Sequence, residues 1–220
     1  MFKKSFFIFW LLIFAFAVNA QPFADEIKAF KKQDSIQLPP KHSILFAGSS
    51  SFRMWKDIGD YFPGYTIINR GFGGSSLPDL IRYENDIIFP YYPIQIVIYC
   101  GDNDLVASDT VTGQMVFERF KLLFSDIRTK FRKIPVAFVS IKPSPSRQRL
   151  MPKMEEANRL IENFLKKKRK TAYIDVYHKM LKADGTPMDD IFIQDKLHMN
   201  AKGYAIWQKA IAPWLLKDKE

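Results

Sequence analysis

Four short segments of this chain carry the residue types from which an acyl-transfer centre can be built. Gly48-Ser49-Ser50 follows the apolar run Ser43–Ala47, and Asn69-Arg70-Gly71-Phe72-Gly73-Gly74 follows Tyr65–Ile68. Gly101-Asp102-Asn103-Asp104 follows Ile94–Cys100, and Asp195-Lys196-Leu197-His198 stands just before the last helical pattern. A serine hydroxyl becomes a nucleophile when a neighbouring base takes its proton. A histidine is that base at neutral pH, and a carboxylate can hold its ring and favour the imidazolium that forms. Backbone N–H groups beside a serine or a glycine, and an asparagine amide, can donate to a developing oxyanion.

Taken singly, each segment has a plainer reading. Ser49, Ser50 and Ser51 are all candidate nucleophiles, and small residues cap helices in any fold. Gly71 to Gly74 can be a turn that needs positive φ. It has neither the dinucleotide-binding glycine spacing nor a phosphate-loop lysine. Asn103 can end a strand by bonding its own backbone. Asp102 and Asp104 have no histidine beside them and do not follow a calcium-loop spacing, so they make a poor metal site. Of the three histidines, His42 precedes the first strand-like run and His178 follows the fifth, both as surface or structural residues. His198 stands out through the carboxylate of Asp195 one turn away. What carries weight is the joint occurrence of these segments, in order and at strand ends.

The elements that must position them alternate. Strand-like runs are expected at Ser43–Ala47, Tyr65–Asn69, Ile94–Cys100, Pro135–Ile141 and Ala172–Val176. Most are short, apolar and without period-two alternation, as strands buried on both faces are. Helical patterns lie between them, at 52–58, 77–88, 116–131, 154–168 and 201–216, with a short amphipathic helix through Phe23, Ile27 and Phe30 before Pro39-Pro40. The stripe Val116, Phe117, Phe120, Leu123, Phe124, Ile127 and Phe131 reads as a core-facing helix. Strands alternating with helices predict a three-layer α/β/α sandwich around a five-stranded parallel sheet. Right-handed crossovers then place all strand C-terminal ends on one rim, where such sheets bind ligands.

The N-terminus has two lysines, Lys3 and Lys4, an apolar stretch Phe6–Val18, and small residues at Val18 and Ala20. This pattern predicts a secretory signal peptide over residues 1–20 and one domain over 21–220, with a periplasmic or secreted location. The alternative is an uncleaved membrane anchor, but the apolar stretch is shorter than the roughly 20 residues of a spanning helix, which favours cleavage, and no membrane span is expected after it. The chain is basic, at +10 formally. It has no nucleic-acid motif, and export argues against such a partner. Cys100 is the only cysteine, so no intrachain disulfide can form, and its place at the end of an apolar run predicts a buried thiol. The loop 143–149 brings Arg147 and Arg149 near the expected rim. They are read as solvated loop residues, with an acidic sugar or phosphate as the alternative ligand. The run from Lys166 to Lys170 suits a solvated helix C-terminus.

With these residues in place, the chain resembles the SGNH hydrolases, the GDSL esterase/lipase family. Gly48-Ser49-Ser50 is similar to the family's first block, with Ser49 where most members have aspartate. That substitution resembles the platelet-activating-factor acetylhydrolase-like and carbohydrate esterase branch. Gly74 matches the second block, Gly101 to Asp104 the third, and Asp195 to His198 the last. The resemblance implies a flavodoxin-like fold, catalytic Ser50, His198 and Asp195, and an oxyanion hole from Ser50, Gly74 and Asn103. It implies a reaction that needs no metal or organic cofactor. The substrate would be a small acyl ester, in particular an acetylated glycan. The alternatives are a lysophospholipase or thioesterase of the same family, acyl transfer to another alcohol, and a non-catalytic glycan- or lipid-binding protein.

Overall fold

The computed structural model describes residues 22–217. The expected signal peptide and its cleavage point after Ala20 lie outside the described residues. Five strands, β1 (Ile44–Gly48), β2 (Ile67–Gly71), β3 (Gln95–Tyr99), β4 (Val136–Val139) and β5 (Thr171–Ile174), form one sheet in the order β2-β1-β3-β4-β5. Every pairing is parallel. The helices are α1 (Ala24–Ile36), α2 (Ser50–Arg53), α3 (Ile58–Tyr61), α4 (Leu77–Ile87), α5 (Asp102–Val106), α6 (Gly113–Lys130), α7 (Met151–Leu165) and α8 (Ala201–Ile211). The expected α/β/α sandwich and its five parallel strands are present.

Every residue of β1, β3 and β4 is buried, which is why these strands read as continuous apolar runs. Alternate side chains feed two cores. Leu45, Ala47, Ile96, Ile98 and Phe138 meet the apolar faces of α4, α6 and α7. Ile44, Phe46, Val97, Tyr99 and Val139 meet Phe52, Trp55, Trp207 and Ile211 on the other side. The stripe on α6 buries Val116, Phe120, Leu123, Phe124 and Ile127, as its spacing predicts. α1 buries Ile27, and Phe23 sets its ring edge-on to Phe72 at 5.3 Å.

Several element boundaries differ from expectation. The single helix expected over 52–58 is two short ones. The Asn69 amide donates to the carbonyls of Phe52 (2.7 Å) and Trp55 (3.3 Å), so a side chain from β2 takes up the acceptors at the end of α2. The last helix stops at Ile211 and passes into a 3-10 turn, Ala212–Trp214, because Pro213 lacks an N–H. α7 starts at Met151 rather than 154, with Pro152 in its first turn, where proline is preferred. Two segments expected as loops are helical: α5 contains the Asp102-Asn103-Asp104 segment, and Pro145–Leu150 forms a 3-10 helix. Among the described residues no helix is long and apolar enough to cross a membrane.

Candidate active site

Strand register explains why distant segments meet. Gly48 at the end of β1 lies opposite Gly71 of β2 and Tyr99 of β3. Three chain segments therefore leave the sheet side by side on its carboxyl-end rim. A Cβ on Gly48 would fall 2.0 Å from the Tyr99 carbonyl oxygen, so only glycine permits this approach. The chain then turns sharply: the Ser49 N–H donates to Tyr99 O (3.1 Å), and Ser49 O accepts from the N–H groups of Phe52 and Arg53. Ser49 and Ser51 are buried in this turn, and Ser50 is the serine left partly open. The Tyr204 hydroxyl donates to Ser51 O at 2.9 Å, and the Tyr204 ring stacks on Trp55, which ties α8 to the turn. The helix that Ser50 opens has only four residues, so the helix field expected to assist it is small. The turn itself aims the hydroxyl.

The histidine arrives on a second closed loop. Ile193 N–H donates to His198 O (2.9 Å) and Lys196 N–H to Ile193 O (3.0 Å), while Phe192 and Met199 form an antiparallel bridge across its neck. Asn200 continues the hold: its side-chain oxygen caps α8 through Lys202 N–H, and its amide donates to Asp190 and Phe192 carbonyls. Within the loop, Asp195 Oδ1 accepts from the N–H groups of Leu197 and His198, both at 2.9 Å. Asp195 Oδ2 lies 2.6 Å from His198 Nδ1, and His198 Nε2 lies 2.9 Å from Ser50 Oγ. Partial burial opposes ionisation of Asp195. The His198 ring and the two backbone donors outweigh it and pull the carboxyl down to about 2. An ionised Asp195 is acceptor only, so Nδ1 carries the ring proton and Nε2 is left to accept from Ser50.

The remaining expected residues lie on segments that leave the same rim of the sheet. Gly74 sits at φ +66°, a conformation open to glycine, on the loop that leaves β2. That loop is tethered by α1: the Gly73 N–H donates to the Glu26 carboxylate at 3.2 Å, and Arg53 Nε pairs with Glu26 at 2.7 Å. Asn103 lies in α5. Its amide nitrogen donates to Ser75 O (3.0 Å), and its oxygen accepts from Arg147 Nη2 (2.9 Å). Ser75 is a knot among these segments. Its hydroxyl bonds to Gly48 and Phe72 carbonyls, and its own carbonyl also receives the Cys100 thiol. Cys100 is buried, as expected, and burial pushes its thiol pKa up. Asp104 is buried between the Leu77 N–H and Arg119, a clamp between helices.

Other candidates fall elsewhere. His42 is an exposed residue whose backbone N–H bonds Tyr92 O. His178 corrects a distinction drawn from the sequence, because Asp175 precedes it at the same spacing and binds its Nδ1 at 2.8 Å. Yet the His178 side chain is 75% exposed, and no serine hydroxyl bonds to it among the described residues. Arg149 pairs with Asp109 on the surface. Arg147 is not a solvated loop residue. Its side chain is 13% exposed and is spent on Asp102 and Asn103. Lys142 belongs to none of the four segments. It is fully buried with Nζ 4.0 Å from Asp102 Oδ2, and burial, partly offset by Asp102, draws it down to about 8. Its place just past an apolar run, like that of Asn103, was the available signal.

A flavodoxin-like parallel sheet that sets a serine, a histidine and an aspartate in line on its carboxyl-end rim defines an α/β protein of hydrolase architecture. The chain belongs to the GDSL-like lipase/acylhydrolase family, whose model matches residues 43–206. No curated protein sequence matches it. Solved structures share the fold. A GDSL-like lipase from Bacteroides thetaiotaomicron is 22% identical over 86% of this chain and 96% of its own, with a TM-score of 0.70. A Streptococcus pneumoniae protein provisionally described as a platelet activating factor is 17% identical over 87% and 92%, at 0.75. An acetylxylan esterase from Geobacillus stearothermophilus, in a catalytic-mutant form, is 12% identical over 78% and 93%, at 0.63.

Proposed function

We propose that the chain is an exported serine esterase that removes small acyl groups, acetyl first among them, from a carbohydrate or a similar alcohol. The observation that carries this reading is the unbroken series from Ser50 Oγ through His198 to Asp195, at 2.9 and 2.6 Å. His198 Nε2 takes the Ser50 proton as the oxygen attacks the ester carbonyl. The carbonyl oxygen, now negative, is received by the N–H groups of Ser50 and Gly74 and by the Asn103 amide. The imidazolium, steadied by Asp195, protonates the leaving alcohol. Water then enters, loses a proton to His198 and frees the acid from Ser50. Each oxyanion donor of this kind contributes roughly 2.7–4 kcal/mol of barrier lowering.

The acetyl preference draws support from an acetylxylan esterase and an acetyl esterase among the structures of the same fold. Export rests on the basic, apolar and small-residue pattern of residues 1–20. The test is a series of p-nitrophenyl esters of rising chain length, followed by acetate release from acetylated xylan, each with Ser50→Ala as control. The expected result is fastest turnover on acetate, falling with length, and none above background in the variant. Rates that climb with acyl length would replace the acetyl reading with a lysophospholipase or thioesterase. An absence of turnover on every ester would favour a binding protein.

A further inference from the structure

An asparagine serves an oxyanion only if its NH2 end faces the charge. The two ends of a carboxamide are nearly equal in size, and the terminal torsion has two broad, roughly equivalent wells. A flipped Asn103 would present an oxygen to the oxyanion and repel it. Something must therefore decide which way this amide points.

Building on the esterase reading, we propose that Arg147 is the positioning residue that holds Asn103 with its NH2 group toward the oxyanion. One guanidinium makes two bonds through two different nitrogens: Nη1 to Asp102 Oδ2 at 2.8 Å and Nη2 to Asn103 Oδ1 at 2.9 Å. The other Asp102 oxygen accepts the Asn103 backbone N–H at 3.1 Å. Carboxylate, guanidinium, carboxamide and backbone thus close a ring. On the far side, Asn103 Nδ2 spends one hydrogen on Ser75 O at 3.0 Å, and its second meets no acceptor among the described residues. In the flipped state the Asn103 NH2 would oppose the guanidinium donor, and its oxygen would oppose the Ser75 carbonyl. Both bonds would be lost together.

The placement of Arg147 reinforces this. Its 3-10 helix, Pro145–Leu150, is fastened to the histidine loop by the Ser146 N–H donating to Lys196 O at 3.1 Å. One segment therefore references the Asn103 amide to the loop that carries His198. The planar fork also matters: a lysine ammonium is a single point donor and cannot span both acceptors in the same plane. Lys142 stands 4.0 Å from Asp102 Oδ2, so that carboxylate keeps a neighbouring cation when Arg147 is replaced.

The test is a double-mutant cycle on an acetyl ester with the full-length protein. It uses wild type, Arg147→Met, Arg147→Lys, Asn103→Ala and the Arg147→Met/Asn103→Ala pair. Active sites are counted by fluorophosphonate titration, so that kcat refers to folded enzyme. The expected result is an Asn103→Ala loss of kcat of about 100-fold or more. Arg147→Met should lose at least about tenfold in kcat with KM little changed, and Arg147→Lys should recover only a minor part. The double variant should be no slower than Asn103→Ala within about threefold, since Arg147 acts through Asn103. Multiplying losses, a change confined to KM, or full rescue by lysine would overturn the proposal. If Arg147→Met does not fold, Arg147→Lys still decides, because a full-rate lysine variant rejects the fork. A crystal structure of either variant decides without turnover, even should the wild type hydrolyse no ester: with only the Ser75 bond left, the Asn103 amide is expected to rotate away from its present position, and an unmoved amide would refute the role.

Discussion

Asp195→Asn changes almost no volume but should reverse the hydrogen-bond sense of the whole series. Asp195 Oδ1 accepts two backbone N–H groups at 2.9 Å, so in the variant the amide oxygen must occupy that position. The NH2 group is then left facing His198 Nδ1 across 2.6 Å. Nδ1 becomes an acceptor, the ring proton moves to Nε2, and His198 donates to Ser50 instead of accepting from it. Turning the amide over would forfeit two backbone hydrogen bonds, each worth about 0.5–1.5 kcal/mol. In the general Ser-His-Asp template the wrong tautomer lowers kcat by about 10⁴-fold, or roughly 5.5 kcal/mol of barrier. We therefore expect a kcat about 10³–10⁴-fold below wild type on p-nitrophenyl acetate, with KM little changed and an unaltered circular-dichroism spectrum. Asp195→Ala places no donor against Nδ1 and should keep more activity than the asparagine variant. The aspartate lies at about 2, far below neutrality, so it stays ionised while activity declines in mild acid, and that limb should follow a single proton. An asparagine variant with a tenth or more of wild-type kcat, or one faster than the alanine variant, would refute the tautomer argument.

Two further outcomes concern stability. Lys142 is held at about 8 by burial, against an ordinary 10.5, so between these values the unfolded chain binds more protons and stability rises with pH. Lys142→Met should thus be more stable than wild type at pH 7, by about 1–3 kcal/mol in urea melts, with the advantage shrinking as pH climbs past 8. A variant that is less stable at pH 7 would contradict the charge cost. Gly48→Ala would put a methyl group 2.0 Å from the Tyr99 carbonyl oxygen, a backbone atom of the paired strand that cannot turn aside as a side chain could. It should fail to fold or melt more than 10 °C lower by differential scanning calorimetry, roughly the effect of several kcal/mol in a domain of this size. A wild-type melting curve would show that the strand ends are looser than the Gly48–Tyr99 approach requires.

Much of this fold could be read from local pattern. Non-alternating apolar runs mark strands covered on both faces, and the stripe on α6 marks its buried side. The rim location of Ser50, Gly74 and Asn103 follows from strand ends alone. What escaped the sequence depends on partners far along the chain. Three adjacent serines are equivalent as letters; the family resemblance singles out Ser50, and the structure supplies the reason, burying Ser49 and Ser51 and setting Ser50 Oγ against His198. Asp175–His178 and Asp195–His198 share one spacing, and only the second reaches a serine, 148 positions away. The break between α2 and α3 depends on Asn69, a side chain from the next strand. Arg147 read as a loop cation because its acceptors, Asp102 and Asn103, lie some 45 residues earlier, where no periodicity points to them.

Covalent labelling tests most directly whether a single hydroxyl on this protein is activated. The full chain is incubated with a fluorophosphonate, and the adduct is located by intact mass and peptide mapping. One adduct per chain, on Ser50, should form, vanish in Ser50→Ala and slow at least about 10³-fold in His198→Ala. An unlabelled protein, or an adduct on Ser49 or Ser51, would contradict the claim.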